Sequence, residues 1–156
     1  MTLAALLLVA GLSGSAATQQ PPPPYGAPIA LADARRAIQA AIADVERQSF
    51  PPMAVAVVDW AGHLVAFERV DSTQTASLTI AIEKARTAAA YRRPSKAFEE
   101  ALVGGRMAIL GLPGALPIEG GIPIIRDGRL VGAIGVSGGT AQQDGVIAAA
   151  GIAALP

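Results

Sequence analysis

Apolar residues recur at helical spacing through Leu31, Ala34, Ile38, Ala41, Ile42 and Val45, with Arg35, Arg36, Gln39 and Glu46 on the opposite side. This pattern predicts a first helix over Leu31 to Gln48, closed by Phe50-Pro51-Pro52, where the prolines cannot continue it. Met53 to Val58 reads as a buried strand, Trp60-Ala61-Gly62-His63 as a turn, and Leu64 to Arg69 as the antiparallel partner. From Thr75 to Tyr91 the stripe Leu78, Ile82, Ala85, Ala89 predicts a second helix, with Glu83, Lys84 and Arg86 off it. Pro94 breaks that helix, and Ser95 is placed to cap a short third one that Gly104-Gly105 ends after Val103.

Between Gly111 and Pro123 glycine and proline are too dense for regular structure, which makes Leu112 to Gly121 the expected ligand-lining loop. Ile122 to Arg126 and Arg129 to Ser137 form a second hairpin across Asp127-Gly128, a dipeptide suited to a type I′ turn. Gly132 and Gly135 lie three residues apart on the returning strand and so on opposite faces, where a missing side chain admits a close neighbour. Thr140 and Gln143 have the spacing of a capping box and open a last helix. Two tight hairpins separated by helices predict an α+β fold with an antiparallel sheet flanked by helices.

Ahead of this lies a segment of different character. Leu3 to Leu12 is almost wholly apolar and is followed by Ser13-Gly14-Ser15-Ala16-Ala17, the small residues a signal peptidase accepts. Residues 1–17 therefore read as a signal peptide, too short to span about 30 Å of hydrocarbon as a permanent membrane anchor. Residues 18–28, with four prolines from Pro21 to Pro24, read as an extended leader, and residues 29–156 as one domain. The expected location is periplasmic or secreted.

Composition sharpens the partners. The chain is 52% apolar and 15% charged, against about 25% charged in an ordinary soluble domain, which favours a homo-oligomer, dimer or larger. Lys+Arg and Asp+Glu balance at 12 each, so no single-signed field exists to attract nucleic acid. Cysteine is absent, which excludes disulfides, thiolate metal centres and iron–sulfur clusters.

Candidate chemistry is sparse. Gly135-Val136-Ser137-Gly138-Gly139 fits G-x-S-x-G, but a nucleophile elbow needs a histidine after the serine and a parallel sheet, and the sole histidine, His63, precedes it. The N–H groups of Gly138, Gly139 and Thr140 at the last helix start could receive a carboxylate or phosphate. One histidine without cysteine cannot close a structural zinc centre, whereas haem needs only one or two axial ligands. His63 is the candidate iron ligand, with Tyr25, Tyr91, Met53 and Met107 as further choices by chemistry, set against a plain solvated turn. Lys84, Arg86, Arg92 and Arg93 form a basic cluster on a helix face. Glu119, beside Gly120-Gly121 in an apolar loop, needs a cation, and Lys84 and Arg86 are the nearest in type. Asp144 complements the dipole of the last helix.

Several stretches together resemble the GlcG/HbpS family of small haem-binding proteins, also called the haem-degrading domain family. They are Val55-Ala56-Val57-Val58-Asp59, Gly62-His63-Leu64-Val65-Ala66-Phe67-Glu68-Arg69, Lys84-Ala85-Arg86-Thr87-Ala88, Pro117-Ile118-Glu119-Gly120-Gly121-Ile122-Pro123-Ile124, Gly132-Ala133-Ile134-Gly135-Val136-Ser137-Gly138 and Gln143-Asp144. The resemblance runs from about Ile29 to the end. It implies a profilin-like α-β-α sandwich, self-assembly, and in some members haem or other tetrapyrrole binding with haem handling or redox sensing outside the cytoplasm. By position it implies a ligand-binding set of Lys84, Glu119, Gly120, Gly121 and Asp144, to which the basic cluster adds Arg86. Two other functions compete with a noncatalytic haem-binding protein. One is an enzyme acting on a small organic acid or haem-derived substrate with Lys84 and Glu119 as acid/base pair; the other is an accessory or sensor protein acting through partners.

Overall fold

The two hairpins, Ala54–Asp59 (β1) with Leu64–Arg69 (β2) and Gly121–Arg126 (β3) with Arg129–Ser137 (β4), join into one antiparallel sheet in the order β2-β1-β4-β3. The structure, a computed structural model, describes residues 21–156; the signal peptide read at 1–17 and residues 18–20 of the leader lie outside the described residues. Asp127 and Gly128 both take positive φ, 51° and 71°, as a type I′ turn requires. Central β1 and β4 pair from Ala54 opposite Ser137 to Asp59 opposite Gly132.

Helices cover both faces, so the architecture is the α-β-α sandwich of an α+β domain. Leu31–Arg47 (α1) and Ala141–Ala153 (α4) lie on one side, where Val55, Val57, Ile134 and Val136 meet Ile38, Val45 and Ile147 in the main core. Thr75–Tyr91 (α2) covers the other side, where the sheet offers mostly small residues, Ala54, Ala56, Val58, Ala133 and Gly135, to Ala81, Ala85, Ala88 and Ala89, with Phe67 and Ile82 packed at the margin. Small residues on both partners let α2 sit close: a Cβ at Gly135 would fall inside contact with the Ala81 carbonyl and the Ala85 amide. Gly132, on the other face, is closed in by Ile29.

The third helix runs Lys96–Val103 (α3) and stops at Gly104-Gly105, with Gly105 at φ +90°. A 3₁₀ turn over Met107–Gly111, unforeseen in the sequence, follows it. Ser95 does not cap α3: it is itself helical (φ −62°, ψ −25°), and its hydroxyl turns instead to the Ile118 carbonyl and the Gly121 amide.

The proline-rich leader, in its described part, is extended but docked. Pro24 accepts a hydrogen bond from the Leu130 N–H, Gly26 donates to the Leu130 carbonyl and Ile29 to the Val131 carbonyl, each at 2.8 Å. Because β1 ends opposite Gly132, the start of β4 would otherwise have unpaired backbone on that side, and the leader supplies its partners.

Candidate functional site

Two places at different ends of the sheet gather the chemistry. The first is built on the loop that precedes β3. Buried Thr87 on α2 accepts the Leu116 N–H at 2.9 Å, and buried Ser95 donates to the Ile118 carbonyl at 2.6 Å and accepts the Gly121 N–H at 2.9 Å. These hydroxyls hold Glu119-Gly120-Gly121 against the domain, with Gly120 at φ +126°. That backbone conformation needs glycine, and so does the space: a Cβ there would lie 2.9 Å from Lys84 Nζ and 2.7 Å from the Val136 carbonyl.

Lys84 from α2 and Asp144 from α4 are 1% and 2% exposed and meet at 2.6 Å, Nζ to Oδ2. The other Asp144 oxygen accepts the Gly139 N–H at 3.0 Å, and Thr140 N–H goes to Gln143 Oε1. The helix start that could have received an external anion is thus filled by the chain's own carboxylate and capping box. Burial pushes the Asp144 carboxyl above its ordinary value, against the opposing pull of Lys84 and the Gly138 and Gly139 amides.

In front of this buried pair is a groove. Glu119 is bonded not to Lys84 or Arg86, as expected, but to Lys96 at 3.1 Å, because Asp144 already holds Lys84 and α3 brings Lys96 over the loop. Its backbone N–H donates to Glu99 at 2.6 Å. Two concavities of about 460 and 350 Å³ meet at Lys96 and Glu119. Glu99, Glu100, Val103 and Gln142 line one; Gly120, Gly121, Ile122 and Val146 line the other. Of the anticipated ligand set, Glu119, Gly120 and Gly121 therefore face the groove. Lys84 and Asp144 stand behind Gly120, with Lys84 bonded to Asp144 and Glu119 to Lys96.

Arg86 and His63 lie at the other end, beyond the C-terminus of β1. Asp59, the last residue of β1, organises the turn: its Oδ1 accepts the N–H groups of Ala61 and His63 at 2.8 and 3.0 Å, and its Oδ2 lies 3.3 Å from His63 Nδ1. A carboxylate on Nδ1 favours the tautomer in which Nε2 keeps its lone pair, the arrangement that orients metal-ligating histidines. The His63 side chain is 81% exposed. Arg86 Nε donates to the Gly62 carbonyl at 3.2 Å and its guanidinium pairs with Glu83 at 2.7 Å.

The two places differ in what they offer a haem. Among the described residues the Glu119 groove is lined by three carboxylates and one lysine, without His, Met or Tyr, a net negative charge that opposes propionates. The His63 turn offers an exposed imidazole held at Nδ1 by Asp59, a ligand type that haem iron takes, with Trp60 in the same turn and Arg86 bonded to its Gly62 carbonyl. Met53 is fully buried and so out of reach of an external iron, and the Tyr91 hydroxyl donates to the Pro113 carbonyl. Lys96 and the docking of the leader at Tyr25 escaped the sequence reading: Lys96 could be read only as the start of α3, and nothing local tied the leader to β4.

A family model described as haem degrading protein HbpS-like matches residues 29–153. GlcG of Escherichia coli K12 is 44% identical over 85 residues, 54% of this chain and 63% of that protein, so the match spans less than two thirds of the relative's length. The fold matches a solved HbpS variant from Streptomyces reticuli at a TM-score of 0.77 and 30% identity, covering 99% of each chain. A structure of PduOC in complex with haem matches at 0.74 and 26% identity, covering 82% of this chain and 95% of that one. The sandwich, its two hairpins and the extent of these matches place the chain in the HbpS-like family of the GlcG/HbpS group.

Proposed function

We propose that this chain is an exported, self-assembling protein that binds haem or a related tetrapyrrole, for haem handling or redox sensing, with His63 as the axial iron ligand. One observation carries the reading: Asp59 holds His63 Nδ1 and leaves Nε2 directed away from its own turn partners. The haem carried by the related PduOC structure supports the ligand class. Haem would supply the iron chemistry, and the residues of this chain bind and orient it.

The wider proposal rests on sequence and surface. The apolar segment at Leu3 to Leu12 with Ala16-Ala17 supports export to the periplasm or medium, and among the described residues no helix is long and apolar enough to cross a membrane. Val103, Met107 and Leu110, 84%, 63% and 60% exposed, support burial of that surface between copies. Titration of the purified chain with hemin tests the function. The expected result is a shifted Soret band that saturates at a fixed ratio per chain; a linear, unsaturable rise would refute it.

A further inference from the structure

The docked leader brings an aromatic and cationic surface to the end of the sheet that bears His63. Tyr25 meets Trp60, the first residue of the His63 turn, with ring centroids 5.3 Å apart, and both rings remain exposed, at 47% and 36%. The Arg92 guanidinium lies 5.1 Å from the Tyr25 centroid and donates to the Pro23 carbonyl; Arg129 donates to the Tyr25 carbonyl. Among the described residues neither arginine is in an ion pair, while nearby Arg86 is bound to Glu83. Arg92 also holds a left-handed backbone at φ 53°, ending α2 where its side chain reaches the leader.

We propose that Tyr25, Trp60, Arg92 and Arg129 recognise the carboxylate-bearing edge of the tetrapyrrole, so that the leader is part of the binding site rather than a spacer. This inference rests on the haem reading above. The exposed rings, tilted 48° to one another, offer apolar edge and face to a macrocycle, and two guanidiniums without a carboxylate partner among the described residues offer forked donors matched to carboxylates. A ligand with the same ring but esterified carboxylates keeps the first interaction and loses the second.

The test compares hemin with hemin dimethyl ester, in dilute detergent, on the full chain and on Arg92→Ala/Arg129→Ala. The parent should bind hemin at least about tenfold more tightly than the ester. The double variant should lose that preference while keeping the Soret position of the parent complex. Should the double variant not fold, as judged by circular dichroism, Arg129→Ala alone at the exposed strand end carries the same readout with a smaller loss. Equal binding of hemin and ester by the parent, or an unchanged preference in the folded variant, overturns the inference and leaves the haem reading standing. A parent that takes up neither compound overturns both.

Discussion

Lys84 and Asp144 join α2 to α4 around the end of β4, with Nζ and Oδ2 2.6 Å apart and both side chains buried. The helices they come from cover opposite faces of the sheet, so the pair ties the two outer layers together. It also sets the position of Gly120, which packs against both residues. A role in the framework behind the groove follows from the geometry.

Removing one partner should therefore cost more than removing both. Lys84→Met leaves a buried carboxylate without its cation and should destabilise the fold by about 3–5 kcal/mol. The double replacement Lys84→Met/Asp144→Leu should recover most of that loss, since an apolar pair of similar volume has no charge to desolvate. Urea denaturation of the parent, the two single variants and the double variant measures the coupling; additive losses would contradict the account.

The raised pKa of Asp144 sets a sign for the pH dependence. The folded chain holds this proton at pH values where the unfolded chain has lost it, so the associated stability is full below the ordinary value of 3.8 and is lost as pH rises through the folded value. The stability of the parent relative to Asp144→Asn should thus fall with rising pH over that window, by at most about 1.4 kcal/mol per pH unit, and level off above it. Denaturation curves at a series of pH values give the difference directly, and a difference that grows with pH would be the wrong sign.

Close packing of α2 makes Gly135 sensitive. Gly135→Ala places a methyl group against the Ala81 carbonyl, backbone that cannot rotate away, and should cost about 2–3 kcal/mol or more. Gly128→Ala is a suitable contrast, since no atom lies within 4 Å of the added Cβ and only the positive φ opposes it. Melting temperatures should show the larger drop for Gly135→Ala.

Local signals carried the fold. Asp127-Gly128 specified its turn by backbone chemistry, Thr140 and Gln143 their cap, and Gly132 and Gly135 the two faces of β4. What failed depended on contacts distant in sequence. Ser95 looks like a cap beside Lys96, but its hydroxyl is claimed by Ile118 and Gly121, more than 20 residues on. Glu119 needed a cation, and its identity depended on Asp144 taking Lys84 first. The four prolines announced an extended segment, yet only the early end of β1 shows where it docks.

Hemin affinity measured side by side for the parent, His63→Ala and Glu119→Gln tests the central claim most directly. The account predicts that His63→Ala weakens binding at least about tenfold and shifts the Soret band, while Glu119→Gln stays within about twofold of the parent, in line with the small effect expected away from the contact. Loss of binding in Glu119→Gln with His63→Ala unaffected would place the ligand at the other end of the sheet and contradict it.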